Sequence, residues 1–307
     1  MTVKVWISKP PIKNRKNRIK NKMKYFYENL LNKLKISGIE DAENKLLIII
    51  SEAVVKDINT IIKWKINIKN NLTTTSVFDN EEQKKLISDW TERLIEGIPL
   101  QYIIGKTDFY GYSFKTSEGV LIPRFDTEIL VDKALEHIND GNQILDLCCG
   151  TGCIGITLAL EKNVKVTLAD ISDTAIEISK ENIAFYKLED RITVIKHNVK
   201  EETFNACYDM IVSNPPYIST NDIKTLSREV QKEPTLALDG GTDGLDFYKI
   251  IAAKYKNNIK KGGSLLLECG MGQFTQIMNI LRENEYGNIE SYLDYNSINR
   301  IIFAKKI

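Results

Sequence analysis

Between residues 24 and 97, apolar positions recur at intervals of three and four, the period of helices with one buried face. MKYFYENLLNKLKISGI (23–39) places Phe26, Leu30, Leu31 and Leu34 on one side, and Gly38 marks a stop. AENKLLIIISEAVV (42–55) and EEQKKLISDWTERLIEGI (81–98) repeat the pattern, the second ending at Gly97. A small helical bundle is therefore predicted over 24–98, and it carries no chemical motif. From 99 the texture changes. QYIIGKTDFYGYSFKTSEGVLIP (101–123) alternates β-forming residues and is broken by Gly105, Gly111 and Gly119, which predicts a β-hairpin over 99–122 linking two domains.

Beyond Pro123 short apolar runs alternate with amphipathic ones. The runs QILDLC (143–148), KVTLAD (165–170), ITVIKH (192–197), MIVSN (210–214) and SLLLEC (264–269) read as strands, with one more near 300–304. TEILVDKALEHI (127–138), IGITLALE (154–161), TAIEISKENIAFY (174–186), LDFYKIIAAKY (245–255) and TQIMNILREN (275–284) read as the helices between or before them. Continuous apolar strands with helical crossovers predict a mostly parallel sheet covered on both faces, an α/β domain over 123–307.

Composition narrows the function classes. The 307 residues leave room for two domains, and 27% charged with 43% apolar residues is ordinary for a soluble globular chain. A net charge of +1 gives no global electrostatic case for nucleic acid. Residues 1–24, however, hold nine Lys or Arg and no acid, so 1–23 reads as a basic tail, either solvated or in weak contact with RNA. No window resembles a signal peptide, and the apolar run at 46–50 is far too short to span a bilayer. The five cysteines show neither a CxxC nor a disulfide framework, which points to a reducing cytoplasm. With His137 and His197 the sole histidines, His-based triads and His-rich metal centres are not expected.

ILDLCCGTGCIGITLAL (144–160) is strand, glycine turn and helix, and Gly150 to Gly155 match GxGxxG. Asp170 ends the next strand about twenty residues on, where a carboxylate takes ribose hydroxyls at the carboxyl edge of the sheet. To this point NAD and S-adenosylmethionine fit almost equally. Asp146, four residues before the first glycine, suits a ligand bearing an ammonium and a sulfonium better than a pyrophosphate, since like charges repel. It can equally cap backbone N–H groups of the loop. IVSNPPYIS (211–219) ends a strand at the same edge. Its two prolines read as a rigid turn, or as a stiff backbone whose carbonyl stands beside an acceptor side-chain amide.

Six segments, in order, carry a family resemblance: IPRFDTEILV (122–131), ILDLCCGTGCIGI (144–156), VTLADIS (166–172), IVSNPPYI (211–218), EPTLALDGGTDGLDFYKII (233–251) and GGSLLLECGMGQ (262–273). Together they resemble the HemK/PrmC family, the peptide chain release factor N5-glutamine methyltransferases, over roughly residues 24–307. The resemblance implies a class I S-adenosylmethionine-dependent methyltransferase fold: a Rossmann-like, mostly parallel seven-stranded sheet with a small helical substrate-recognition domain and a β-hairpin linker. It implies S-adenosyl-L-methionine as cofactor, no metal, release factors as protein substrates in the cytoplasm, and a monomer.

By the same resemblance Asn214, Pro215, Pro216 and Tyr217 form the catalytic motif. The Asn214 side-chain oxygen and the Pro215 carbonyl would each accept an N–H of the glutamine amide, and Tyr217 would pack on its planar group. Cys148, Cys149, Gly150, Thr151, Gly152, Asp170, Ile171, Asn198 and Val199, with Asp146 and Asn214, are the expected cofactor contacts. Arg124 and Glu128 are expected to line the substrate site, although Glu128 also suits the first turn of a helix. The segment 239–244 is expected to shape the substrate groove, and Glu233 is either part of that site or a surface acid. The chain departs from the family pattern at CCGTG, where many relatives have GTGTG, and at Asn198, where an acid is common; Cys148 and Cys149 also read as small buried packing residues. Methylation of a ribosomal-protein glutamine or a nucleobase amine, a NAD-binding oxidoreductase and a non-catalytic binding module remain open as alternatives.

Overall fold

The computed structural model describes residues 12–70, 77–78 and 80–307. The chain divides into two compact units, 1–104 and 105–307.

The first unit is helical. Its elements are α1 (Ile12–Ile36), α2 (Ala42–Val54), α3 (Ile58–Lys69), α4 (Glu81–Ile95) and the short α5 (Leu100–Ile104). Leu30 and Leu34 of α1, Leu46, Ile49 and Ile50 of α2, Ile61 and Trp64 of α3, and Ile87 and Leu94 of α4 share one buried cluster. The side chain of Asp57 accepts the Thr60 N–H and that of Asn80 accepts the Gln83 N–H, so α3 and α4 each start on an N-cap. Two expectations shift. The segment 12–23 continues α1, because Lys and Arg are good helix formers and extend a helix already nucleated by its apolar face. Residues 1–11, the rest of the expected basic tail, lie outside the described residues. In addition, α3 was not expected, since INTIIKWKINIK mixes helical spacing with β-branched residues.

The second unit opens with a hairpin of β1 (Lys106–Phe109) and β2 (Tyr112–Lys115). It is shorter than the expected 99–122, since 100–104 are helical and no strand continues past Lys115. Phe109 and Phe114 are buried in this unit's core, and the Tyr186 hydroxyl donates to the Ser113 carbonyl at 2.7 Å. The hairpin is thus packed onto the α/β domain.

There follow α6 (Glu128–His137), β3 (Gln143–Leu147), α7 (Cys153–Glu161), β4 (Lys165–Asp170), α8 (Asp173–Tyr186), β5 (Ile192–Lys196) and β6 (Tyr208–Ser213). A short α9 (Thr235–Leu238), α10 (Asp246–Lys254), β7 (Ile259–Glu268), α11 (Phe274–Glu283), β8 (Tyr286–Leu293) and β9 (Asn299–Lys306) complete the chain. The seven-stranded sheet has the order β5-β4-β3-β6-β7-β9-β8, with β9 antiparallel to both its neighbours and the rest parallel. This is the mostly parallel, Rossmann-like arrangement expected from the sequence.

Period-2 alternation sends Ile144, Val166, Leu168 and Val212 to one face, against Leu130 of α6, Ile154 and Leu158 of α7 and Ile183 of α8. Leu145, Leu147, Ile211 and Leu265 go to the other, against Tyr248 and Ile251 of α10 and Ile277 and Leu281 of α11. Burial on both faces explains why these strands read as continuous apolar runs. Strand order reverses between β3 and β6, so the carboxyl ends of β3, β4 and β6 open into one crevice, where ligands bind in folds of this kind.

Candidate active site

At the end of β3 the chain turns through left-handed backbone at Cys148, Gly150 and Gly152, with φ of 59°, 55° and 78°. Glycine adopts this region without penalty; Cys148 is the one side chain held there. A Cβ on Gly155 would lie 2.4 Å from Leu168 Cδ2 and 2.8 Å from Val166 Cγ1, so glycine lets α7 rest directly on β4. Asp170, at the end of β4, accepts the Gly150 N–H with Oδ2 and the Ser172 N–H with Oδ1, both at 2.9 Å. Ser172, and not Asp170, caps α8, accepting the Ala175 N–H. Burial raises the Asp170 carboxyl pKa against these N–H donors.

Asp146, expected to face a cationic ligand or to cap the loop, is held in the second role. Its carboxylate is fully buried beneath the glycine loop, with Oδ2 accepting the Gly155 N–H at 2.9 Å and Oδ1 lacking a partner among the described residues. Burial, reinforced by the Asp170 charge, pushes this carboxyl up to about 8. Its bonded oxygen is turned to the Gly155 N–H, and the residue is not part of the cavity wall. Burial likewise raises the thiols of Cys148 and Cys149 and lifts Cys153 to about 12, so all three stay protonated and serve as packing groups.

The crevice holds a cavity of about 220 Å³. Of the expected cofactor contacts, Cys148, Cys149, Gly150, Thr151, Asp170, Ile171, Asn198, Val199 and Asn214 line it, whereas Gly152 and Asp146 do not. Pro216 and Arg124 also reach its wall; Pro215, Tyr217 and Glu128 are not among the lining residues. Among the wall residues that were not anticipated are Val120, Thr127, His197 and Phe247. His197 is buried, its Nε2 lies 2.6 Å from the Tyr255 hydroxyl, and burial lowers its pKa, so the neutral ring is favoured. The Asn198 side chain bonds to the Lys200 N–H, which fixes the loop after β5.

Asn214 follows directly on β6. Ser213 anchors the strand end, its hydroxyl donating to the Leu147 carbonyl at 2.7 Å. The Asn214 amide nitrogen donates to Thr127 Oγ1 at 3.2 Å, and the Thr127 hydroxyl donates to Glu268 Oε2 at 2.6 Å. Both Thr127 and Glu268 are buried, and burial pushes the Glu268 carboxyl up to about 7, against the Thr127 bond and the Arg300 charge.

The motif is braced from behind. The Ile218 N–H donates to the Leu238 carbonyl, and Gly240 returns a bond to the Ile218 carbonyl at 2.8 Å. Gln273 Nε2 donates to the Tyr217 carbonyl at 2.8 Å. Burial and the nearby Glu268 raise the Tyr217 phenol, so it stays neutral. The segment 239–244 therefore packs against the motif's backbone: a Cβ on Gly240 would come within 2.8 Å of the Pro216 carbonyl oxygen.

Glu233 is no surface acid. It is buried, pairs with the Arg124 guanidinium and accepts the Ile122 N–H at 3.1 Å, tying the segment before α6 to the one before α9. Glu128, expected near the substrate, instead accepts the Tyr110 N–H at 2.8 Å at the hairpin tip, where Tyr110 has φ of 54°. It holds the hairpin to the first turn of α6.

Comparison with known proteins bears on this geometry. Residues 114–241 match the family model described as the methyltransferase small domain. A Clostridium botulinum protein named release factor glutamine methyltransferase is 39% identical over 241 residues, 76% of this chain and 85% of that one. A Clostridium acetobutylicum protein of the same name is 38% identical over 240 residues, 76% of this chain and 84% of that one.

The chain belongs to the release factor glutamine methyltransferase family. The nicotinamide reading left open by the glycine loop falls with that finding. Solved structures agree at the level of fold. A methyltransferase from Pyrococcus furiosus superposes with a TM-score of 0.51 at 15% identity, covering 64% of this chain and 90% of that one. The class I methyltransferase fold is thus shared by chains with little sequence in common. Among the described residues no helix is long and apolar enough to cross a membrane.

Proposed function

We propose that this chain transfers a methyl group from S-adenosylmethionine to the side-chain amide nitrogen of the glutamine in the Gly-Gly-Gln motif of peptide chain release factors. One observation carries the reading: Asn214 stands on the cavity wall with its amide nitrogen engaged by Thr127 and its Oδ1 free of partners among the described residues. An acceptor in that position takes an N–H from a substrate amide. The Pro215 carbonyl, fixed by two prolines, is the second acceptor, and Tyr217 packs on the amide plane.

The residues of the crevice fit S-adenosylmethionine. The Asp170 carboxylate suits ribose hydroxyls, the backbone of 148–151 suits the amino-acid portion, and Ile171, Val199 and Phe247 give the apolar wall an adenine needs. When bound, the cofactor supplies a methyl group made electrophilic by its sulfonium. A glutamine amide is a poor nucleophile, because its nitrogen lone pair is delocalised into the carbonyl. The work of this chain is to hold that nitrogen in line and to aim two acceptor dipoles at its N–H bonds. One N–H proton passes to solvent as the methyl is gained, and two acceptors hydrogen-bonded to those N–H groups polarise the bonds toward that loss. No histidine is required, in keeping with a neutral, buried His197 engaged by Tyr255.

We assign the helical unit to recognition of the protein substrate, because it has its own core and no chemical motif. We place the reaction in the cytoplasm, where release factors act. The test is transfer of labelled methyl from S-adenosylmethionine to a recombinant release factor and to its Gly-Gly-Gln glutamine variant. The first should be labelled and the second should not; equal labelling of both would overturn the substrate assignment.

A further inference from the structure

We propose that Thr127 and Glu268 are positioning residues that set the orientation of the Asn214 side-chain amide, turning its oxygen toward the substrate nitrogen. This rests on the reading of Asn214 as the amide acceptor. A side-chain amide can be reversed by a half-turn, which would present NH2 to the substrate and repel the N–H it is meant to accept. Something must choose between the two orientations. The prolines that follow Asn214 stiffen its backbone but have no hold on its amide.

The choice is made by a one-way chain of hydrogen bonds. An ionised Glu268 can only accept. The Thr127 hydroxyl has one proton, and it lies 2.6 Å from Glu268 Oε2, so that proton is given to the carboxylate. Thr127 Oγ1 is then left as an acceptor toward Asn214, 3.2 Å away, and only the NH2 end of the amide satisfies it. The amide oxygen is thereby sent to the opposite side.

Sheet register builds this chain. Ser213 pairs with Leu267 across β6 and β7, so Asn214 and Glu268 stand one step further on the two adjacent strands. Thr127 reaches between them from the entry to α6, 2% exposed. None of the three is near another in sequence.

The device has a built-in pH dependence. Glu268 sits near pKa 7, held up by burial and by the Asp126 charge, and opposed by Thr127, Arg300 and Arg124; Tyr217, Tyr248, Cys153 and Cys269 are its other titratable neighbours, all held in their neutral forms by burial. Once protonated, its Oε2 can donate to Thr127. The Thr127 proton is then free to point at Asn214, and the amide can reverse. Methyl transfer therefore rises with pH through about 7 for a reason separate from cofactor binding.

The test uses the full chain with Thr127→Val, Thr127→Ser and Glu268→Gln. Thr127→Val keeps the shape and removes both bonds, and is expected to lower kcat by about tenfold to a hundredfold, as for a misaimed reacting group. Thr127→Ser keeps the hydroxyl and should restore most of kcat. Glu268→Gln can donate as well as accept, so kcat should fall and the acidic limb near pH 7 should disappear. A second readout needs no substrate: the Asn214 side-chain NH2 signals in 15N-edited NMR, assigned by their loss in Asn214→Ala. Their proton exchange should be slow in the wild type and in Thr127→Ser, and fast in Thr127→Val. Wild-type exchange in Thr127→Val, or an unchanged pH profile in Glu268→Gln, would overturn the proposal. If the wild type labels no release factor, the functional reading has failed, and the NMR comparison still decides whether the amide is oriented by this chain.

Discussion

Asp146 and Asp170 each bond a backbone N–H of the same glycine-rich segment, yet the structure gives them different chemistry. Asp170 accepts two N–H bonds and keeps its place on the cavity wall, whereas Asp146 is closed off beneath α7 with one oxygen unpartnered. A buried acid whose folded pKa is raised has a definite sign in stability. Below the ordinary carboxylate pKa both folded and unfolded chains hold the proton and nothing is lost. As pH rises from there toward 8, the unfolded chain ionises first and the folded state loses ground. Asp146→Asn removes that loss while keeping an acceptor for the Gly155 N–H. Thermal melts without cofactor should show the variant gaining on the wild type from about pH 4 to about pH 8. A difference that does not change with pH would mean Asp146 is ionised or solvated, contrary to its burial.

At the scale of elements, the motif proposed as catalytic is a loop clamped between α9, the glycine turn at 239–244 and the entry to α11. Gly240 is a close approach, because a Cβ there would press on the Pro216 carbonyl oxygen, the Tyr217 Cα and the Gly244 carbonyl oxygen within 2.9 Å, all of them backbone. Gly240→Ala should shift the motif and lower kcat by about a hundredfold, as small misplacements of reacting groups do. The dissociation constant for S-adenosylmethionine should change little, which equilibrium binding would check. The sheet that presents this motif was legible because both faces are buried and the strands read as unbroken apolar runs. β8 escaped notice since YGNIESYL alternates only partly and lies at the sheet edge, with one of its eight positions buried. Within the site, Gly150, Asp170 and Asn214 announce themselves in local motifs. Thr127 bonded to Glu268, and Arg124 paired with Glu233, join residues over a hundred positions apart, and only the folded chain brings them together.

For the whole molecule, each of the two units closes its own apolar core: Leu30, Ile50 and Ile87 in one, Leu147, Ile211 and Leu267 among the residues of the other. The crevice and every residue assigned to cofactor or amide belong to 105–307. A fragment of residues 105–307 should therefore fold and bind S-adenosylmethionine about as well as the full chain, while losing kcat/KM on an intact release factor. Full kcat/KM in the fragment would remove the helical unit from substrate recognition. The small net charge of +1 makes steering by a charged surface field a minor factor in that encounter.

The central claim, that an amide clamp at Asn214 serves a release factor glutamine, is tested most directly by locating the methyl. A release factor treated with the enzyme and S-adenosylmethionine is digested, and its Gly-Gly-Gln peptide is fragmented by tandem mass spectrometry, alongside the same reaction with Asn214→Ala. The account predicts one added methyl on the glutamine side-chain nitrogen with the wild type and its near-absence with the variant. A methyl on any other residue, or an undiminished yield from Asn214→Ala, would contradict it.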